Sequence, residues 1–480
     1  MGKFSEHDNF MVNAVCYGII QGLMTKEITE DTIAAIATAP GEGAIAIVRV
    51  SGPDSLRIAD RVFVGKGLPP SQRQARSFLH GTIQGSEGVA DEVILLIYRA
   101  PRSYTREDSI EIQGHGGSSA AKRILRVVLD EGARLADPGE FTKRAFLSGR
   151  IDLLQAEGVL DLIRAGTDRA ANAALEQMNG ALSLSFNKLY DLAMEAAADL
   201  ESTLDFSEDE LPESVTHNVI DNLRHLESDF KRLLESWDEG HLLRDGAKVV
   251  IAGKPNVGKS TLMNALLGKE RSIVTPIAGT TRDVIEEQLV IDGYIVRLSD
   301  TAGLRDADCE IESEGVRRAK HQIDNSDLVI YVIDGSTEID ASDDNQLDSL
   351  KNKNSIIAIN KSDISNNDTT KSLASIRSHI MISATLQTGL EDLKKLIIEH
   401  FGVKGGSSHH ALISERHRRL LVSAHKDIVE ATLLISRTSP EPALAASHLR
   451  CALDTLGEAT GRVYHDELLN NIFSRFCIGK

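Results

Sequence analysis

Residues 253–260 read Gly-Lys-Pro-Asn-Val-Gly-Lys-Ser, a glycine followed after four intervening residues by Gly-Lys-Ser. Glycines at both ends of such a loop let successive backbone N–H groups turn inward around phosphate oxygens, and a following helix adds the positive end of its dipole. Lys259 is then placed to reach the β- and γ-phosphates of a nucleotide, and the Ser260 hydroxyl to ligate Mg²⁺. Asn256, Val257, Gly258 and Thr261 complete the predicted phosphate cradle.

Three later stretches follow in a telling order. A β-type run delivers Asp300-Thr301-Ala302-Gly303, with Asp300 placed to hold Mg²⁺ through water and the Gly303 N–H to sense a γ-phosphate. A second run delivers Asn360-Lys361-Ser362-Asp363. A carboxylate at Asp363 can accept both the N1–H and the exocyclic amine of guanine, a donor pair that adenine lacks. A third ends at Ser383-Ala384, a backbone lid for the base. Together the four predict a GTP-specific P-loop domain. Thr281, within residues 273–283, is the candidate switch threonine that completes the Mg²⁺ shell. Leu304 stands where Ras-like proteins carry a water-positioning glutamine, so hydrolysis needs another group or an external activator.

The elements that must position these residues are legible as changes of texture. From residue 31 to 148, short β-type runs (32–38, 44–52 and 92–101) surround a helix predicted over Ser118–Asp130, an α+β domain. Between 149 and 243, apolar residues recur every three or four positions with almost no breakers, which predicts a long helical stretch. Strands and helices alternate over 244–404, as in an α/β sheet, and helical texture returns over 405–480. The expected fold class is therefore multidomain α/β and α, with a P-loop GTPase domain inserted into a helical domain and an α+β domain before it. Residues 1–30 carry acidic residues ahead of a mildly apolar run and no cleavage signal, and are expected to be an unstructured extension or an early start, with Met24 an alternative.

Composition narrows the function classes. At 480 residues the chain needs more than one core. A net charge of −18 sets a repulsive field against polyanions, so any nucleic-acid contact needs a local basic patch or a partner protein. Nothing approaches eighteen consecutive apolar residues, and a membrane role is not expected. Cys16, Cys309, Cys451 and Cys477 lack metal-ligand spacing and read as reduced thiols of a cytoplasmic protein. The ending Cys477-Ile478-Gly479-Lys480 fails the prenylation pattern at two of three positions. His115, between glycines, has no partner at metal spacing and reads as a turn stabiliser. Arg416-His417-Arg418-Arg419 is a basic cluster that could touch RNA or form a solvated helix face.

The phosphate-loop, 278–283, 300–305 and 360–363 segments, combined with residues 112–117, residues 138–157 and the terminal Phe-Cys-Ile-Gly-Lys, closely resemble the bacterial tRNA-modification GTPase MnmE (TrmE) family. The resemblance covers essentially residues 31–480. It implies an N-terminal domain that binds 5-formyl-tetrahydrofolate or a related one-carbon folate and forms a homodimer. It also implies an FAD-dependent partner, MnmG, with which the family adds a carboxymethylaminomethyl or aminomethyl group to the wobble uridine of certain tRNAs. Hydrolysis in the family is activated by K⁺ when two G domains meet, and the resemblance assigns K⁺ to Asn256, Thr275, Ile277 and Thr280. The cation then supplies the charge that an arginine finger supplies elsewhere. Glu312 matches the family's water-orienting glutamate; read bare, it is an acidic residue at a helix start. Arg49, Glu111 and Arg150 match folate-contacting positions, although the family carries lysine where Arg150 stands. The tail is expected to extend toward the folate, with Lys480 offering a cation and Cys477 near the one-carbon unit as a candidate catalytic thiol.

The competing expectation is a regulatory or ribosome-assembly GTPase without modification chemistry. Many such proteins carry a KH module with a basic G-x-x-G loop. The one such spacing after the switch segments, Gly402-Val403-Lys404-Gly405, precedes helical texture, which disfavours that alternative.

Overall fold

The computed structural model describes residues 31–204, 213–268, 287–300, 320–351, 353–364, 379–401 and 413–480. The chain forms two compact units, one of residues up to Leu160 together with Thr460–Lys480, the other of Asp161–Ala459.

The first unit is a seven-stranded sheet with helices against one face. Its strands are β1 (Ile33–Ile36), β2 (Ile45–Ser51), β3 (Phe63–Gly65), β4 (Phe78–Gly85), β5 (Gly88–Tyr98), β6 (Ser109–His115) and β7 (Arg134–Leu135), in the order β3-β4-β5-β6-β2-β1-β7. Alternation of apolar and polar residues separates the faces. Val48, Val50, Val93, Leu95, Ile97, Ile110 and Ile112 point to one side. There they share a core with Leu56, Ile58 and Ala59 of α1 (Ser55–Val62) and with Ile124 and Val128 of α2 (Ser118–Asp130). The opposite face carries Arg49, Tyr98, Ser109 and Glu111. Near β1 it is covered by Phe141 of α3 (Glu140–Leu147), which packs with Ile33, Ala35 and Tyr104.

The end of the chain belongs to this unit. The helix Asp466–Phe473 leads to a tail in which Ile478 bridges Pro138 antiparallel, and the Gly139 N–H donates to the Cys477 carbonyl over 3.4 Å. Gly479 has φ 97°, and a Cβ there would collide with the Ile36 carbonyl of β1. Only glycine fits that seat.

Helix α4 (Leu153–Arg164) carries the chain into the second unit, followed by α5 (Asp168–Met178), α6 (Ala181–Leu204), α7 (Glu213–Glu235) and α8 (Trp237–Asp245). The long helical stretch read from periodicity is made of these successive helices. Thr167 caps α5 by accepting from the Ala170 N–H, and Asn179-Gly180, with Gly180 at φ 92°, stops it. The glycine removes the steric barrier to a left-handed exit, and the cap hydroxyl satisfies an N–H that helix continuation would have used.

The α/β portion then runs β8 (Ala247–Gly253), α9 (Lys259–Leu267), β9 (Glu287–Ile291), β10 (Tyr294–Asp300), β11 (Leu328–Asp334), α10 (Ala341–Ser349), β12 (Ser355–Asn360), β13 (His379–Met381) and α11 (Leu390–His400). The sheet order is β13-β12-β11-β8-β10-β9, parallel except for the β9–β10 hairpin. Its central strands are continuous Val/Ile runs buried on both faces, as a covered parallel sheet requires. Ala173 and Ala174 of α5 and Leu242 and Leu243 of α8 sit in the same apolar cluster as β8 and β10.

After this insertion, α12 (Glu415–Ile435) and α13 (Pro442–Thr460) return to the earlier helices. Ser414 and His417 form a reciprocal capping box that starts α12. His417 lies edge-on to Phe186 of α6, Phe230 of α7 packs on His425, and Arg450 of α13 reaches Glu201 of α6 at 2.7 Å. The two helical halves therefore pack together around the point of insertion.

Candidate nucleotide site and a second cleft

Each phosphate- and base-directed segment leaves the carboxyl edge of the parallel sheet, where open α/β sheets form their ligand crevices. Gly253 ends β8, Asp300 ends β10, Asp334 ends β11, Asn360 ends β12, and Ser383 follows β13. Gly258 has φ 95°, and a Cβ at that position would collide with Asn360 Nδ2, so glycine is required where the two loops meet.

Asn360 joins the two loops. Its Nδ2 donates to the Val257 carbonyl at 2.9 Å, and its Oδ1 accepts the Ala384 N–H at 3.0 Å; the side chain is buried. One amide therefore ties the phosphate loop to the base lid, using a donor and an acceptor at once. Lys361, at φ 63°, donates from Nζ to Asp334 Oδ2 at 2.5 Å. Burial works against the Asp334 carboxylate, but hydrogen bonds from Lys361 and Ser336 outweigh it and hold its pKa below the ordinary range. Asp363 is exposed at the end of the same loop.

On the phosphate side, Lys259 is buried and rests its ammonium on the Gly253 and Lys254 carbonyls, at 3.0 and 2.7 Å. Ser260 Oγ donates to Asp300 Oδ2 at 2.8 Å. Both are hard oxygens of the kind Mg²⁺ takes, Ser260 as a direct donor and Asp300 as a carboxylate that can hold one of the ion's waters. Asn256 is exposed at φ 66° in the loop, and Thr261 lies exposed in the first turn of α9. Thr275, Ile277, Thr280, Thr281, Thr301, Ala302, Gly303, Leu304 and Glu312 lie outside the described residues, as do residues 1–30 and the 402–405 spacing.

A second site lies on the open face of the first unit's sheet. Arg49 and Glu111 are cross-strand partners of β2 and β6, and Arg49 Nε and Nη2 donate to Glu111 Oε1 at 3.0 and 2.9 Å. Tyr98 Oη donates to Glu111 Oε2 at 3.4 Å; burial first, then the Glu111 charge, raises the phenol's pKa. With Ser51, Tyr104, Thr105 and Ser109 they line a small cleft of about 150 Å³.

Arg150 is exposed and does not line that cleft, but it meets Arg49 through Tyr104. The two guanidinium groups lie over the Tyr104 ring at 4.6 and 5.5 Å, and Arg150 donates to the Tyr104 carbonyl at 3.1 Å. Sequence reasoning missed Tyr104; its one signal was an aromatic residue inside a polar, proline-containing loop. Cys477 is exposed, and neither it nor Lys480 lines the cleft. The tail reaches the unit through its backbone at Pro138 and Ile36. His115 pairs with Asp91 through both Nδ1 and its backbone N–H, each at 2.7 Å, the turn-stabilising arrangement expected of it.

The basic cluster is partly consumed by packing. Arg416 donates to the Glu458 and Ala459 carbonyls, His417 is buried in the capping box, and Arg418 lies over the Trp237 ring at 5.3 Å. Arg418 and Arg419 both remain exposed.

Comparison with known proteins adds independent findings. A family model described as the MnmE helical domain matches residues 153–477, and one described as the GTP-binding protein TrmE N-terminus matches residues 32–150. The chain is 40% identical over 458 residues to a tRNA modification GTPase MnmE of Clostridioides difficile, covering 94% of this chain and 99% of that protein. It is 42% identical over 453 residues to one from Lactococcus lactis subsp. cremoris, covering 94% and 98%. Among solved structures, the G domain of the T. maritima FeoB iron transporter is 26% identical (TM-score 0.24), covering 32% of this chain and 98% of that chain. Era of Aquifex aeolicus is 28% identical (TM-score 0.26), covering 40% and 69%. Among the described residues, no helix is long and apolar enough to cross a membrane.

Proposed function

The chain belongs to the tRNA modification GTPase MnmE family and is a GTP hydrolase involved in tRNA modification; from that premise we propose that it acts on the wobble uridine. In this reading it works in the cytoplasm with the FAD-dependent partner MnmG, and together they add a carboxymethylaminomethyl or aminomethyl group to certain tRNAs. Asn256, Val257, Gly258, Lys259, Ser260 and Thr261 hold the phosphates, while Asn360, Lys361, Asp363, Ser383 and Ala384 hold the guanine. Ser260 and Thr281 take Mg²⁺, which when bound neutralises charge on the β- and γ-phosphate oxygens. Asn256, with Thr275, Ile277 and Thr280, takes K⁺, and Glu312 orients the attacking water. The domain limits are those of the sequence reading: 31–148, 149–243, 244–404 and 405–480.

The observation that carries the modification chemistry is the Arg49–Glu111 cleft, which a GTPase with a purely regulatory role has no use for. It offers a carboxylate for the amino edge of a pterin and a cation beside it, which suits a one-carbon folate. The same sheet face continues past the cleft to Phe78 and Ile94, 77% and 42% exposed, a patch suited to a second copy of the chain.

One experiment tests the assignment. Binding of formyl-tetrahydrofolate is measured for the wild type and Arg49→Ala, with GTP turnover of both followed in K⁺ and in Na⁺. The expected result is folate binding weakened about tenfold or more, as loss of a charged hydrogen-bonding group implies, with turnover unaltered and faster in K⁺. Unchanged folate affinity removes the cleft assignment, and equal turnover in the two salts removes the Asn256 assignment.

A further inference from the structure

The connection from β11 to α10, residues 334–343, touches both halves of the nucleotide site. At its start Asp334 accepts from Lys361 Nζ in the base loop. At its end Asp340 Oδ1 and Asp343 Oδ2 accept from Lys254 Nζ, at 2.5 and 2.8 Å. Lys254 is the second residue of the phosphate loop, and its own carbonyl is one of the two on which the Lys259 ammonium rests. The acceptors are themselves fixed. The Asp343 N–H donates to Asp340 Oδ1 at 3.1 Å and the Asp340 N–H to Asp343 Oδ2 at 3.3 Å, a reciprocal cap at the start of α10. Asp343 is 7% exposed and Asp340 is open to solvent, so the ammonium bridges a buried carboxylate and an exposed one.

We propose that Lys254, clamped by Asp340 and Asp343, is a positioning residue of the phosphate loop: it fixes the carbonyl that holds Lys259 and thereby sets how long a bound nucleotide is retained. Lys254 touches no phosphate in this role. It acts through the loop backbone, and the helix cap supplies a rigid anchor because the same carboxylates serve both. The Asp334–Lys361 pair braces the base loop from the same connection, so movement of residues 334–343 would loosen phosphate and guanine contacts together.

The inference rests on residues 253–260 being the phosphate loop. The test uses the full chain and a fluorescent GDP analogue, with dissociation rate, KM and kcat read separately. Lys254→Met keeps the side-chain stem and leaves the α10 cap intact, so it reports on the clamp even where Asp343→Asn fails to fold. The expected result is a dissociation rate raised about tenfold, the loss of a charge-assisted hydrogen bond, with KM rising by more than kcat falls. Lys254→Arg restores slow release, and the Lys254→Met/Asp343→Asn double variant is no worse than the worse single one. A Lys254→Met release rate within about twofold of wild type, or additive single effects, overturns the clamp while leaving the loop assignment standing. Wild-type protein that binds no GDP overturns both.

Discussion

At the scale of single residues, the motif positions did not equally declare their work. Lys259 and Ser260 were assigned from spacing alone, because the residues of a phosphate loop are neighbours in sequence. Asn360 was expected to form part of a guanine loop, but its tie between Val257 and Ala384 was not legible, since its partners lie 103 and 24 residues away. Tyr104, Lys254 and Asp334 escaped for the same reason: each takes its meaning from a partner that only folding brings near. Asp363 allows a sharp prediction. An asparagine there presents a donor where guanine offers donors, so Asp363→Asn is expected to weaken GTP binding by about 100-fold, roughly two charged hydrogen bonds. Xanthine carries an acceptor in place of the exocyclic amine, and the variant is expected to prefer XTP in a competition assay. Retained GTP preference would remove Asp363 from the base site.

Elements were read more easily than their ends. The helix Ser118–Asp130 and the strands within 32–38, 44–52 and 92–101 follow from period and punctuation, and the structure has them there. The interval from 149 to 243 was read as helical and is so, but its breaks were not legible because they are single small residues whose effect depends on capping, as at Thr167 and Gly180. How β1, β7 and α3 are joined was not legible at all. Arg144, almost wholly buried, donates to Glu107 and Glu140 at 3.0 Å and to Asp31 at 2.5 Å, and Arg134 donates to Asp31 and Glu140. Burial works against the Asp31 and Glu140 carboxylates, but the arginines outweigh it and hold both pKa values below the usual 3.8 and 4.5. Groups depressed in this way stabilise the fold above their ordinary pKa and lose that contribution as pH falls through the folded-state values. Urea midpoints are therefore expected to hold down to about pH 5 and fall below about pH 4, and Asp31→Asn to make that acid limb shallower. An acid limb identical in the two proteins would exclude Asp31 from the coupling.

At the scale of the whole molecule, the inserted topology was readable because a texture change interrupts helical sequence and the same texture resumes after it. A net charge of −18 sits poorly with a protein that grips RNA by itself, and within the cluster at 416–419 Arg416 and His417 are spent on helix packing. We therefore propose that the GTPase and folate sites lie on this chain and that a partner makes much of the RNA contact, with GTP use by this chain required for wobble-uridine modification. The most direct measurement is nucleoside mass spectrometry of bulk tRNA from cells lacking the chain, complemented with the wild type or with Asp363→Asn. The account predicts that the modified uridine disappears without the chain, returns with the wild type and stays absent with the variant. Modified uridine at wild-type levels in the cells lacking the chain would contradict it.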